Sequence, residues 1–282
     1  MKGLINLYKP RGITSSNAVV ACRKILGTRD IGHMGTLDPA GEGVFFLGVG
    51  KATRLFDYFL HKDKVYEAEF SFGFSTDTLD GDGTVTEKTN RIPSESEIRA
   101  VLPRFTGKQM QVPPQYSAKS VNGVRAYKLA REGKSAHLAP CAVEIYSLEC
   151  LRQTAENTYL FRVHCSSGTY VRSICRDVAA ALQSLAAMVS IKRTRCGAFC
   201  VENTVTLDAL AESKASLLVS VESALADLPR VVLPDTYYAP LCNGIKIPYD
   251  RDGKFTLYCG GELFGIACVE HGFLKVKTYL RD

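Results

Sequence analysis

RDIGHMGTLDPAGEGVFFLGVG, residues 29–50, is the stretch from which the rest of the chain can be read. It holds six glycines, a single histidine (His33) and Asp38, which is fixed between Leu37 and Pro39. Proline confines the residue before it to extended or turn conformations and has no N–H of its own. Gly32, Gly35, Gly41 and Gly43 allow tight turns and close approach of other backbone. The apolar run Val44-Phe45-Phe46-Leu47 then reads as a buried strand or the start of a helix. Asp38 is thus expected on a stiff loop beside a hydrophobic element, as a candidate nucleophile or general base. Asp30 and Glu42, close by, lack such rigid neighbours.

Working outward, 282 residues can bury a large core and hold one large domain with a small one. No window approaches the ~20 apolar residues of a membrane span. The start, MKGLINLYKPRG, lacks a secretory apolar region, so a cytoplasmic protein is expected. Ten cysteines are scattered without a C-x-x-C pair, which favours free thiols over disulfides or zinc. Residues 48–53 resemble the tail of a phosphate-binding loop. Phe45 stands where its first glycine belongs, however, and Ala52 where Ser or Thr would coordinate magnesium, which excludes a nucleoside triphosphate site. DTLDGDG (residues 77–83) lacks the first ligands of a calcium loop and reads as a tight acidic turn.

The net charge of +6 is unevenly spread: residues 104–134 carry seven basic side chains and one acid, a field that attracts polyanions. Arg125, Lys128 and Arg131 lie there, as does an Asn122-Gly123 turn. Residues 4–8 read as a strand, residues 15–26 as a helix capped near Thr14 and ended by Gly27. Residues 65–74 alternate as an amphipathic strand, and Ser94 caps a helix. QMQVPPQY (residues 109–116) is too proline-rich for a central strand. Residues 143–151 and 158–165 form a strand pair, followed by a long helix from Val171 to about Met188. Residues 191–199 are a basic strand or turn. After residue 228, clustered prolines, glycines and short alternating runs indicate a small β-rich unit, so domains are expected at 1–227 and 228–282.

Asp38, Tyr66, Arg172 and Tyr170 are candidates for chemistry and stacking, and Lys9 for holding phosphate. The series KPRGITS (9–15), GHMGTLDPAGEGVFFLGVGKATR (32–54), KVYEAEFSFGFSTDTLDGDG (64–83), QVPPQYSAKSVNGVRAYKLAREG (111–133), CSSGTYVRSICRDVA (165–179) and IKRTRCGAF (191–199) closely resembles the TruB family of tRNA pseudouridine synthases. The tail resembles the small PUA-like RNA-binding domain that closes many bacterial members.

The resemblance implies an α+β pseudouridine synthase fold, with a largely antiparallel mixed sheet flanked by helices. It implies isomerisation of uridine 55 in the tRNA T-loop, with Asp38 as catalytic nucleophile. Attack at ribose C1′, a glycal-like route and addition at C6 of the base all remain open. Arg172 would pair with Asp38, Tyr66 would stack on the uracil, and Tyr170 and Ile191 would line its pocket. His33 would fill the gap left by the flipped base, while Lys9, Arg125, Lys128 and Arg131 would contact RNA backbone. Met34 and Ile191 depart from the usual Thr and Leu. No cofactor or metal is implied; the partner is the T-arm stem-loop, and a monomer is expected. A sister synthase with another RNA target, or a non-catalytic RNA-folding protein, would share parts of the pattern.

Overall fold

The computed structural model describes residues 1–121 and 123–281. In chain order the first strands are β1 (Gly3–Lys9), β2 (Ile31–His33), β3 (Gly41–Val49), β4 (Lys64–Phe72), β5 (Phe74–Thr76) and β6 (Val85–Lys88). Then come β7 (Gly107–Gln111), β8 (Ser120–Val121), β9 (Val124–Arg125), β10 (Cys141–Ala155), β11 (Thr158–Cys165), β12 (Ala186–Cys196) and β13 (Phe199–Cys200). The helices among them are α1 (Ser15–Leu26), α2 (Phe56–Leu60), α3 (Glu95–Val101), α4 (Ala126–Arg131) and α5 (Val171–Ala181).

The main sheet runs β1-β3-β12-β4-β11-β10-β7, with β2 on β3 and β13 on β12. Every pairing in it is antiparallel except β3 with β12. Alternation explains β4 directly: Tyr66, Ala68, Phe70 and Phe72 are buried, and the residues between them are only partly so. Those four face a core shared with Val19 and Cys22 of α1, Ile98 of α3 and Ile174 and Val178 of α5. Each fully buried Phe or Leu there contributes roughly 1.5–3 kcal/mol.

The local signals act as expected. The Thr14 side chain accepts from the Asn17 N–H, and Gly27 ends α1 in the left-handed conformation at φ 64°. Ser94 and Glu97 form a reciprocal capping box at α3. The proline-rich stretch follows β7, an edge strand, where a missing N–H interrupts no ladder.

One expectation fails. The helix after Tyr170 stops at Ala181 instead of reaching Met188. Gln183 turns left-handed at φ 54°, and Ala186, Ala187 and Met188 pair with Phe72, Ser71 and Phe70 of β4. Alanine is a strong helix former, but an unfilled position beside β4 overrides so weak a preference. The expected Asn122–Gly123 turn includes a residue outside the described ones; on either side of it, Val121 pairs with Val124.

A second, curled sheet has the order β14-β16-β17-β18-β15, formed by β14 (Arg230–Val232), β15 (Ile247–Pro248), β16 (Lys254–Cys259), β17 (Glu262–Glu270) and β18 (Phe273–Tyr279). It has its own core around Phe255, Leu257, Phe264 and Leu274. Leu263, Ile266 and Leu280 instead join Leu4 of β1, Phe46 of β3, and Leu55 and Phe59 of the helical segment that follows β3. Among the described residues, no helix is long and apolar enough to cross a membrane.

Candidate active site

The loop carrying Asp38 leaves β2 and returns as β3, so its two ends are fixed by the sheet. Ser15 Oγ, at the start of α1, donates to the Leu37 carbonyl (2.7 Å) and accepts from the Leu37 N–H (3.0 Å). Lys9, the last residue of β1, is fully buried, and its Nζ donates to the carbonyls of Pro10 (2.9 Å), Pro39 (3.4 Å) and Gly41 (2.5 Å). From β12, Arg193 Nε donates to the Val44 carbonyl at 2.7 Å and its guanidinium reaches the Thr36 carbonyl at 3.4 Å. Two buried cations therefore clamp the loop by its backbone. Gly43 pairs in parallel with Arg193, and a Cβ there would collide with the Arg193 carbonyl oxygen, so this crossing requires glycine.

The Asp38 carboxylate itself is 37% exposed, and Arg172 meets its Oδ2 at 2.8 Å. Arg172 lies in the first turn of α5, where a cation runs against the helix dipole. Its partners offset that. Besides Asp38, its guanidinium faces Asp80 at 3.4 Å and donates to the carbonyls of Thr78 (3.0 Å) and Tyr116 (3.1 Å). One planar fork thus ties together the Asp38 loop, the turn between β5 and β6, and the proline-rich stretch. The pairing fixes the direction in which the Asp38 carboxylate points.

Burial pushes the Asp80 carboxyl up, while Thr78 and Arg172 pull it back. Burial lowers the Lys9 ammonium to about 8 against the opposing attraction of Asp38. Tyr66 lies opposite Arg193 on β4, and burial pushes its phenol up to about 12, so it keeps its proton at neutral pH. Burial also raises Tyr170, whose surroundings include Arg172 and Asp38. His33 stacks on Phe45 with centroids 5.6 Å apart; burial and then Arg193 lower its pKa, leaving the imidazole neutral at pH 7.

Residues 23–171 match the family model described as TruB family pseudouridylate synthase (N terminal domain). The tRNA pseudouridine synthase B of Rickettsia akari (strain Hartford) is 38% identical over 259 residues, covering 90% of this chain and 88% of that protein. Its counterpart from Clostridium novyi (strain NT) is 39% identical over 249 residues, with 88% and 86% covered. This chain belongs to the TruB family. It is an enzyme of the pseudouridine synthase class, with that family's fold.

Among solved structures, a chain of an H/ACA ribonucleoprotein bound to a substrate RNA containing 2′-deoxyuridine superposes with a TM-score of 0.73 at 23% identity, covering 99% of this chain and 85% of that one. A chain of a Cbf5-Nop10-Gar1 complex gives 0.72 at 27% identity, covering 95% and 78%.

Set against the family's pattern, Asp38, Arg172 and Tyr170 converge in this TruB-family chain, while Tyr66 and His33 share Arg193 as a neighbour. Ile191 is buried in β12 opposite Gly41 and Ala68. Lys9 needs correcting: with no exposed surface and three carbonyl partners, it holds the Asp38 loop and does not contact phosphate. Arg125, Lys128 and Arg131 stand apart on an exposed segment with a small core of its own, formed by Ala126, Ala136 and Leu138. Met34 is buried with Phe46 and Phe59 in the cluster that also takes in Leu263, Ile266 and Leu280.

Sequence reasoning missed Asp80 and Arg193. Asp80 sits in the acidic turn, which docks on β12 through the Met188 backbone after a left-handed Leu79 (φ 62°). Nothing in DTLDGDG sets it apart from Asp77 or Asp82. Arg193 shares its motif with Lys192 and Arg195; strand parity separates it from Lys192, and a register shift between 193 and 195 separates it from Arg195, so it alone of the three turns inward.

Proposed function

We propose that this chain converts uridine 55 in the T-loop of tRNA to pseudouridine, with Asp38 as the nucleophile acting on a flipped-out uridine. The observation that carries this reading is the Asp38–Arg172 pair, 2.8 Å apart on the family's own motif residues. The reaction breaks the bond from ribose C1′ to uracil N1 and forms one from C1′ to C5. C5 gives up its proton and N1 takes one, so no oxidant or reductant is consumed. A partly exposed carboxylate held by Arg172 serves the cleavage step.

Tyr66 stacks on the uracil, and its protonated phenol can donate but not abstract a proton at pH 7. Tyr170 and Ile191 close the pocket around the base. Neutral His33, already stacked on an aromatic ring, occupies the space that the flipped base leaves in the loop, offsetting an extrusion cost of a few kcal/mol. Arg125, Lys128 and Arg131 face solvent and meet the T-arm backbone through its phosphates. The curled sheet, with its own core, is a second RNA-binding unit from residue 228 onward, and the catalytic unit spans 1–227. The enzyme acts in the cytoplasm as a monomer, since each chain carries its own set of site residues.

The test is release of tritium from C5 of uridine in an unmodified T-arm stem-loop, comparing wild type, Asp38→Ala and an RNA with cytidine at the target position. Release that needs both Asp38 and that uridine supports the reading. Tight binding with no release by the wild type would move a different target RNA, or a purely structural role, ahead of it.

A further inference from the structure

Tyr170 and Arg172 lie where α5 supports itself least. The first N–H groups of a helix have no intrahelical acceptors, and an unsupported first turn frays. Tyr170 is the N-cap residue, yet its side chain makes no capping bond, and no acidic residue lies in the first turn. The support comes from another part of the chain. Gln111, the last residue of edge strand β7, is only 4% exposed. Its Oε1 accepts from the Tyr170 N–H at 2.8 Å, and its Nε2 donates to the Tyr170 carbonyl at 3.2 Å. A primary amide presents donor and acceptor in one plane, as the peptide of a neighbouring strand would. The backbone after Gln111 continues the attachment: the Val112 carbonyl accepts from Ser173 Oγ at 2.9 Å and from Arg176 at 3.2 Å, and the Tyr116 carbonyl from Arg172 at 3.1 Å.

We infer that Gln111 is a positioning residue for the isomerisation, its amide fixing Tyr170 and, through the first turn of α5, the angle at which Arg172 meets Asp38. Gln111 touches no reacting atom. Its role rests on the reading of Asp38 as nucleophile. Among the described residues, it is the attachment between this edge of the sheet and the start of α5 in which one side chain engages both backbone polar groups of a single residue. Any substitution that keeps the side-chain volume but loses one of those groups leaves the helix start free to rotate. Displacements of that kind, far smaller than unfolding, are enough to misalign a nucleophile.

The experiment uses the full chain and three variants, Gln111→Met, Gln111→Glu and Asp38→Asn, measuring single-turnover tritium release from the T-arm RNA, RNA affinity and Tm. Methionine keeps length and loses both bonds; the rate is expected to fall about tenfold to a hundredfold with RNA Kd changed less than about twofold. The glutamate variant gives a sharper readout. Ionised, its carboxylate accepts from the Tyr170 N–H but repels the Tyr170 carbonyl; protonated, it recovers donor and acceptor together. Its rate divided by the wild-type rate should therefore rise toward one as pH falls, a recovery that simple loss of stability would not produce.

An unchanged rate for Gln111→Met overturns the inference. So does a Gln111→Glu ratio that is flat with pH, and this second readout decides the matter if the methionine variant does not fold. If Asp38→Asn keeps wild-type activity, the reading of Asp38 fails instead, whatever the Gln111 variants do.

Discussion

Lys9, Arg172 and Arg193 around the Asp38 loop and Arg125, Lys128 and Arg131 on the exposed segment are the same kinds of side chain in opposite settings. The first three are buried and spend their donors on carboxylates and backbone carbonyls. The others point to solvent, and their packing is slight: Arg131 lies over the Tyr127 ring at 5.5 Å, and Arg125 donates to the Ala118 carbonyl. A buried cation must be partnered where it sits and so fixes the shape of its surroundings. An exposed one keeps its charge for whatever binds. On the proposed reading, catalytic geometry and RNA attraction divide between two regions, and each can be damaged alone.

The widest separation should come from Asp38→Asn, which keeps shape and removes the proposed nucleophile. Single-turnover release should drop at least ~1,000-fold while RNA affinity stays within about twofold, because binding is supplied elsewhere. Arg172→Lys comes next. A point charge cannot serve two carboxylates and two carbonyls together, so a loss of about a hundredfold in rate is expected, again with Kd little changed. If affinity fell as far as rate, the two regions would not be separable.

Lys9→Met tests the buried set through stability. Three carbonyls lose a donor, and urea unfolding should show a destabilisation of roughly 2 kcal/mol at pH 7.5. The pH dependence has a definite sign. The folded protein holds the Lys9 proton with a pKa of about 8, against an ordinary lysine value of 10.5. Between those values the unfolded chain binds more protons, so the wild type gains stability from this group as pH rises. The gap between wild type and Lys9→Met should widen from pH 7.5 to 9.5.

The smallest effects belong to Arg125→Ala, Lys128→Ala and Arg131→Ala. Each should weaken RNA binding a few-fold and reduce the salt slope of log K by roughly 0.7–0.9 per lost phosphate contact. Tm and the rate at saturating RNA should not move. A large rate defect in any of them would join the two regions functionally.

Local rules made much of the fold readable. Thr14, Gly27 and Ser94 end or begin helices because of what their own atoms do, and β4 carries its two-residue period openly. Asp38 and Arg172 were found through their motifs, and the loop's stiffness is legible in Pro39 and its glycines. Lys9 was misread because KPRG looks the same whether its lysine turns to solvent or to the 39–41 backbone, and only the β1–β3 pairing decides that. Ala186 to Met188 continued a helical pattern, and the vacancy beside β4 is not written in their own sequence. Asp80, Arg193 and Gln111 share that difficulty, since their partners lie 92, 149 and 59 residues away.

The parallel crossing of Gly43 with Arg193 has a consequence for synthesis of the chain. The loop bearing Asp38 leaves the ribosome early, but the strand that clamps it follows some 150 residues later. At elongation speeds of about 5–20 residues/s, that is an interval of roughly 8–30 s. Throughout it the nascent chain holds Asp38 in place of an assembled site, so the enzyme cannot act on RNA until most of its own translation is complete.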